Sequence, residues 1–306
     1  MKYLTTGDIA RKWRVNDRRV RVLCEEGRVD GAFKVGNTWM IAEDASKPYD
    51  ARKAINKAYA GLNFDFTEID TLKREIDTYR PLAKNSVKSL HEKLVVEWTY
   101  HSNAIEGNTL TLSETKVVLE GITIGGKSVI EHLETINHKE AIEYLEMLIH
   151  EKKDLTEWIL KTIHQLILKE IDDDHAGKYR SENVAISGAT HIPPNHMLVP
   201  EYMQKLFAEY EQQWNAYHPV VKACLLHGEF VKIHPFIDGN GRTARLLLNF
   251  ELMKNGYPPI VITKEKRAEY YAALDIAHTT MDYSKFIQLI ADFVVASESL
   301  WLRIMS

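Results

Sequence analysis

The sequence predicts a mainly α-helical protein with a large helical body and a small N-terminal head. Its 306 residues exceed one minimal domain and suit a large domain joined to a small one. Sparse glycine and proline, 15 and 9 residues, favour long helices over a turn-rich β architecture. Residues 1–53 carry 12 Lys and Arg against 8 Asp and Glu, whereas the remainder carries 27 against 35. We therefore expect a basic head at 1–48, a linker at 49–60 and an acidic body at 61–306.

The composition is that of a soluble globular chain. Hydrophobic residues make up 45% and charged residues 27%, which excludes a disordered or fibrous protein. No apolar run reaches the ~18 residues of a membrane span, and no signal peptide is predicted. The two cysteines, Cys24 and Cys224, exclude a disulfide framework. We expect both to be buried in a cytoplasmic protein that does not contact a membrane.

The head is predicted to contain two helices followed by a hairpin. The first helix spans 5–13, and the second spans 17–26 and ends before a glycine. The pair Gly36-Asn37, between the apolar stretches 32–35 and 38–41, predicts a tight turn in a hairpin or wing.

The second helix of the head carries three arginines, Arg18, Arg19 and Arg21. Helix, turn, arginine-rich helix and wing together resemble the winged helix-turn-helix heads of the MerR and excisionase type. That resemblance implies DNA binding, with the second helix in the major groove and the wing on phosphate. The alternative is a solvated arginine face on a module that binds protein or packs on the body.

The body shows helical periodicity over most of its length. Ten helices are predicted, at 66–79, 87–105, 113–119, 129–150, 156–170, 201–217, 220–232, 242–254, 264–278 and from 283 to the end. The exception lies near residue 188, where the apolar stretches 183–187 and 190–192 flank Gly188-Ala189 and predict a β-hairpin.

Residues 121–128 match the spacing of a phosphate-binding P-loop, G-x-x-x-x-G-K-[ST]. A working P-loop follows a buried parallel strand, but residues 112–120 predict a capped helix. The chain also lacks an apolar strand ending in Asp that would supply the second magnesium ligand. We interpret residues 121–126 as a loop between two helices.

The densest group of chemically active residues is 234–245, which reads H-P-F-I-D-G-N-G-R-T-A-R. A helix delivers His234 at its end, a tight loop follows, and a new helix begins near Asn240. The main-chain amides of Gly239, Asn240 and Gly241 then lie at a helix N-terminus, which favours an anion.

The other polar side chains of this motif suit a polyphosphate. Arg242 and Arg245 share one helix face and can clamp two neighbouring phosphates. Asp238 would be unfavourable beside phosphate unless a hard cation intervened, so it predicts a Mg²⁺ ligand. His234 is the group that can accept a proton near neutral pH. Ordinary salt bridges or a helix-end histidine would explain each residue singly, but not the combination.

The motif matches the full pattern H-x-F-x-[DE]-G-N-G-R-x-x-R, and the chain is identified on it as a member of the Fic family. The resemblance covers most of residues 60–300, with a core at about 150–260. It implies a helical bundle with a β-hairpin flap that transfers AMP from ATP to a Ser, Thr or Tyr hydroxyl of a target protein and releases pyrophosphate. Gly241 stands where the phosphorylating Doc branch carries Lys, which favours nucleotidyl transfer. The alternative function is a DNA-binding regulator whose body senses nucleotide.

The resemblance also implies a role for each motif residue. His234 would deprotonate the attacking hydroxyl, and Asp238 would hold Mg²⁺ between the α- and β-phosphates. Asn240 and the loop amides of Gly239 and Gly241 would stabilise charge on the α-phosphate. The β- and γ-phosphates would be held by two arginines, Arg242 and Arg245 respectively.

The predicted hairpin, which follows Gly177-Lys178-Tyr179-Arg180, resembles the Fic flap. In the family this flap pairs main chain to main chain with the target, so we expect a protein target to dock around residues 183–195. Four residues would border the nucleotide: Gly188, His191, Tyr270 and Tyr271. His278 stands where relatives often carry Asn, which leaves the choice of nucleotide open.

Residues 102–107, S-N-A-I-E-G, match the inhibitory motif [ST]-x-x-x-E-[GN]. The resemblance implies that Glu106, preceded by Ser102, pairs with Arg245 and keeps the γ-phosphate from its productive position. A carboxylate placed where a phosphate belongs competes for the guanidinium. Otherwise Glu106 is an ordinary residue at a helix end. Some relatives also use this glutamate to remove AMP, so deadenylylation is a second activity, and family members often form homodimers.

Overall fold

The computed structural model describes residues 2–13, 15–25, 27–48, 59–80 and 84–305. The chain divides into two compact units, residues 1–58 and 59–306. Most of the predicted linker at 49–60 lies outside the described residues.

The head contains two helices and a three-stranded antiparallel sheet. Its elements are β1 (Tyr3–Thr5), α1 (Thr6–Trp13), α2 (Asp17–Glu25), β2 (Phe33–Val35) and β3 (Thr38–Ala42). The two helices and the hairpin are confirmed, whereas β1 was not predicted; β3 lies between β1 and β2. A small core of Ile9, Val20, Leu23 and Ile41 holds these elements together, because each of the four is almost fully buried.

Ten helices make up the described part of the body, as predicted. They are α3 (Thr67–Thr78), α4 (Lys84–Ile105), α5 (Leu112–Leu119), α6 (Val129–His150), α7 (Glu157–Leu168), α8 (Val199–Gln212), α9 (Pro219–Ile233), α10 (Asn240–Lys254), α11 (Arg267–Thr280) and α12 (Ser284–Met305). The largest difference in bounds is at α8, which ends five residues early because Trp214–Ala216 forms a separate 3₁₀ turn.

The loop at 121–128 joins two capped helices, which confirms that it is not a P-loop. Thr111 begins α5 with a capping box shared with Glu114, and Ser128 begins α6 with one shared with Glu131. Lys127 donates to the main-chain oxygen of Thr109 at 2.7 Å. The glycine-rich stretch therefore only connects α5 to α6.

Helices α9 and α10 form the centre of the body. Most residues of α9, and Arg242 to Leu252 of α10 without exception, are buried, and α4, α6, α7 and α12 pack against one or both. The six residues between them, 234–239, therefore lie where two core helices meet, on a rigid support.

The β-hairpin predicted at 183–192 is wrong, because no strand forms among the described residues 181–198. A turn does form, with Gly188 at φ 77° and Ala189 N–H donating to Ile186 O at 3.2 Å. The amides of Thr190 and His191, however, donate to the carboxylate of Asp275 on α11. The side chain of Asp275 therefore binds two amides that a hairpin would pair with main chain. We keep the name flap for residues 181–195.

Cys24 and Cys224 are free and buried, as predicted. Burial raises the pKa of both thiols, so neither resembles an activated nucleophile. Across the described residues, every helix is too short or too polar to cross a bilayer.

Candidate active site

His234 ends α9 in a left-handed conformation, φ 51° and ψ 59°, with its amide donating to Phe230 O. Its carbonyl accepts from Arg180 Nε at 2.8 Å, which fixes the orientation of the peptide group. Burial lowers the pKa of the imidazole to about 4, and the charge of Arg180 acts in the same direction. At neutral pH the ring is therefore uncharged and able to accept a proton.

Asn240 closes the loop that follows His234. Its side chain accepts from the amide of Phe236 at 3.0 Å and donates to the carbonyl of Phe236 at 2.9 Å. The residue is 2% exposed, and both polar atoms of its side chain are bonded within the loop. Contact of Asn240 with phosphate stays a prediction, for which its main-chain amide at the helix N-terminus is the suitable group.

Two glycines allow close approaches at the start of α10. Gly239 has φ 73°, and a Cβ there would lie 3.1 Å from His164 Nε2. A Cβ on Gly241 would lie 2.2 Å from Glu106 Oε1. Position 241 therefore accepts no side chain unless the carboxylate of Glu106 moves.

Arg242 and Arg245 are both about 97% buried and both paired with acidic groups. Arg242 donates to Glu134 Oε1 at 2.8 Å and to Asp238 Oδ2 at 3.0 Å. Since Asp238 is 66% exposed at its side chain while Arg242 is 3% exposed, the outer side of this cluster faces solvent. The two arginines form a buried cationic pair beside a helix N-terminus, which suits a polyphosphate.

Glu106 and Ser102, at the end of α4, meet Arg245 as predicted. Arg245 Nη2 donates to Glu106 Oε1 at 2.7 Å and to Ser102 O at 2.8 Å, and its Nε donates to Ser102 Oγ at 3.0 Å. Burial alone would lower the pKa of the guanidinium, but the Glu106 carboxylate outweighs it and the pKa is raised. Arg245 is thus a buried cation paired with a carboxylate from a neighbouring helix.

Glu134 of α6 is a site residue that the sequence did not single out. Its Oε1 accepts from Arg242 and its Oε2 accepts from Asn108 at 2.8 Å. It lies on a helix rich in glutamates, and nothing local separates it from its neighbours. Each motif arginine therefore has a carboxylate partner from outside the motif.

His164 of α7 is a second residue that the sequence did not reveal. Its Nε2–H donates to the carbonyl of Asp238 at 2.8 Å, and its Nδ1 accepts from the amide of Gly177 at 2.9 Å. The ring stacks on Phe236 at 3.6 Å. Burial lowers its pKa to about 4, so it stays neutral and keeps one donor and one acceptor.

The predicted nucleotide-bordering residues fall into two environments. Gly188 is exposed at the turn of the flap, and Tyr271 is 39% exposed. Tyr270 is 1% exposed, and its hydroxyl contacts His227 Nε2 at 2.8 Å. The ring of His191 contacts the carbonyl of Lys232 and faces the buried ring of His278 at 5.3 Å. Their roles toward a nucleotide remain predictions.

Comparisons with known proteins identify the same segment of the chain. The model of the Fic/DOC family matches residues 154–252, which contain the motif and both arginines. Protein adenylyltransferase Fic of Drosophila melanogaster is 38% identical over 226 residues, 72% of this chain and 44% of that protein. The protein of the same name from Drosophila grimshawi is 36% identical, over 72% of this chain and 45% of its own. This chain spans less than half the length of these curated relatives.

Solved structures of Fic proteins are similar to this chain over a larger share of its length. A Fic domain containing signaling protein from Bacteroides thetaiotaomicron is 31% identical with a TM-score of 0.73, over 78% of this chain and 96% of that one. Fic-1 from C. elegans is 30% identical with a TM-score of 0.70, over 78% and 72%. Sequence and fold therefore match together, well beyond the motif.

Proposed function

The chain belongs to the Fic/DOC family, and on that basis we propose that it is a protein adenylyltransferase that moves AMP from ATP to a hydroxyl of a target protein. One observation carries the proposal: a neutral His234, a helix N-terminus and two buried arginines meet at the junction of α9 and α10. The same activity is named for the Drosophila relatives.

The proposed reaction is an in-line displacement at the α-phosphorus. The hydroxyl oxygen of a Ser, Thr or Tyr forms a bond to phosphorus, the bond to the bridging oxygen breaks, and pyrophosphate leaves. His234 takes the hydroxyl proton, because its imidazole is neutral at pH 7. The amides at the start of α10 would face the α-phosphate, and the two arginines would hold the β- and γ-phosphates.

Asp238 fits a Mg²⁺ ligand by its donor chemistry. Its carboxylate is 66% exposed at the mouth of the cationic cluster, and carboxylate oxygen is what Mg²⁺ prefers. The described residues form no group of three or more His, Cys, Asp or Glu that could hold a metal, so phosphate and water would complete the coordination. When bound, the ion neutralises charge on the phosphates.

Glu106 would keep this enzyme inactive. Its carboxylate occupies the Nη2 donor of Arg245 that a γ-phosphate would need, and its negative charge would repel that phosphate. Removing the carboxylate would leave Arg245 without its ion-pair partner, while its bonds to Ser102 remain, and would open the space above Gly241 to an anion. Deadenylylation by Glu106 is proposed on the family resemblance only.

The test uses ATP labelled at the α-phosphate, with Mg²⁺. Glu106→Gly should label itself or a protein in a lysate, whereas Glu106→Gly with His234→Ala should not. Glu120→Gly, at an exposed glutamate beyond α5, is the matched control and should behave as the wild type. ATP labelled at the γ-phosphate should transfer nothing, which distinguishes nucleotidyl from phosphoryl transfer. An unlabelled Glu106→Gly reaction would refute the proposal.

DNA binding by the head is a second candidate function. The short helix α2 begins four residues after the end of α1, and β2 and β3 would form the wing, so the elements suit a winged helix-turn-helix. Arg18 and Arg21 are exposed on α2, although Arg21 also contacts Asp17. Arg18→Ala in the full chain should weaken DNA binding and reduce its salt dependence. Affinity that is weak and flat against salt would remove DNA from the proposal.

On the family resemblance we also propose that the protein forms a homodimer and is cytoplasmic. Sedimentation velocity of the full chain across a range of concentrations would test the dimer. Fractionation of cells expressing the tagged chain would test the location.

A further inference from the structure

Arg180 is a buried guanidinium at the start of the flap. It is 3% exposed and donates to three main-chain carbonyls: Nε to His234 O at 2.8 Å, Nη1 to Glu182 O at 2.9 Å and Nη2 to Pro194 O at 2.5 Å. Its own amide donates to Pro235 O at 2.9 Å. One side chain thus contacts three separate segments of main chain.

This guanidinium has no carboxylate partner in the part of the chain that the structure describes. Among the described residues, each hydrogen-bond acceptor of Arg180 is a neutral carbonyl, and no salt bridge involves it. Burial lowers its pKa, which records the cost of desolvating the charge. An apolar side chain would fill the same space without this cost. What Arg180 supplies is a planar set of donors that a lysine ammonium cannot reproduce.

Two of the three acceptors lie near the ends of the flap, and the third belongs to His234. Glu182 and Pro194 lie near the two ends of the flap, so Arg180 holds both ends at one point. The third acceptor, the carbonyl of His234, belongs to a residue in a left-handed conformation that few non-glycine residues adopt. A bond to that carbonyl restricts the ψ angle of His234 and thereby its ring.

We propose that Arg180 is a positioning residue that fixes the flap to the backbone of His234, so that the target-docking segment and the base are oriented by one side chain. The proposal rests on the adenylyltransferase activity proposed above. Arg180 itself need not touch ATP or the target. It acts through His234 and through the two ends of the flap.

The experiment compares Arg180→Gln and Arg180→Lys, each in the Glu106→Gly background. Both should lower kcat by about 100-fold, as expected for a displaced base, with little change in KM for ATP. In both, the amides of Ala189, Thr190 and His191 should exchange hydrogen faster. In Arg180→Gln, the pH at which activity is half lost on the acid side should also rise, because the charge of Arg180 lowers the pKa of His234 and a lysine would keep that charge.

Two matched variants separate the effects. Lys178→Gln removes a neighbouring exposed cation that donates to Asp174 O, and should change neither kcat nor exchange. Asn183→Ala removes a bond between the flap and the amide of His196, just beyond it, and should speed exchange with a smaller loss of kcat than either Arg180 variant, because the bond to the carbonyl of His234 is kept.

Several outcomes would overturn the proposal. Folded Arg180 variants with the kcat and flap exchange of the Glu106→Gly background would do so, as would a lower kcat without faster exchange. Unfolding of the whole body in both variants, seen as a lost thermal transition, would make Arg180 a folding residue instead. If Glu106→Gly itself failed to label, the proposed activity would fall, while flap exchange would still decide whether Arg180 holds the flap.

Discussion

The loop at 234–241 and the flap at 181–195 lie side by side but are held in different ways. In the loop, Asn240 satisfies both main-chain groups of Phe236, four residues away. In the flap, the main chain bonds to Asp275, 84 residues or more away, and to Arg180. The loop thus has a pair of internal bonds in addition to those from Arg180 and His164, whereas the flap depends more on other elements.

The strongest test of this contrast breaks the loop from within. Asn240→Ala, in the Glu106→Gly background, leaves the amide and carbonyl of Phe236 buried without partners. We expect labelling to fall by about 100- to 1,000-fold, because the loop amides lose the orientation that a developing charge needs. Initial rates of α-phosphate transfer measure the effect. Asn240→Asp keeps the acceptor and should lose less; equal losses would contradict this account.

The contrast also explains what the sequence could predict. The motif residues lie within twelve positions, and their geometry follows from one helix end, one loop and one helix start. Helical periodicity located the ten described helices of the body because most of them bury one stripe of apolar residues. Such local patterns are visible in a single sequence.

Residues that act over a distance could not be found in this way. His164 and Glu134 lie on ordinary helices, and only the packing of α6 and α7 brings them to the motif. The flap has the alternation of a hairpin, but the carboxylate of Asp275 takes two of its amides, so the pattern gave the wrong structure. The pairing of Glu106 with Arg245 was predicted from the family motif rather than from local physics.

A smaller effect is expected on the free energy of unfolding when His164 is protonated. This residue links the loop to Gly177, just before the flap. Its pKa falls from the ordinary ~6.5 to about 4 on burial, so the unfolded chain binds more protons between these pH values. Its contribution to stability is therefore present above pH ~6.5 and lost as the pH falls toward 4, by up to about 3 kcal/mol. Urea unfolding at pH 7 and pH 4.5 measures this change.

His164→Gln is the control for that titration. Glutamine lacks the ionisable ring, so the variant should lose less stability on acidification, although it is less stable at pH 7. The buried His234 and His278 titrate in both proteins and cancel in the difference. An identical pH dependence in the two proteins would show that His164 does not titrate as the structure indicates.

A weaker effect on activity is expected when the contact between the flap and Asp275 is changed. Asp275→Asn keeps one acceptor oxygen but removes the charge that holds the amides of Thr190 and His191. We expect about a 10-fold rise in KM for the target with kcat nearly unchanged, because a misplaced flap weakens docking but not His234. Asp292→Asn, on α12, where the carboxylate accepts from Gln288, is the control. A fall in kcat equal to that of Asn240→Ala would erase the distinction between the two regions.

The smallest effect compares the same substitution in both regions. Gly188 and Gly239 both have φ near 75°, so alanine costs about 1–2 kcal/mol of backbone strain at either position. At Gly188 nothing lies within 4 Å of the added methyl, and the flap can adjust. At Gly239 the methyl would lie 3.1 Å from His164 Nε2 and 3.2 Å from Ile167, in surroundings that cannot move. Urea midpoints should therefore fall more for Gly239→Ala than for Gly188→Ala. Equal midpoints would mean that the loop yields as readily as the flap.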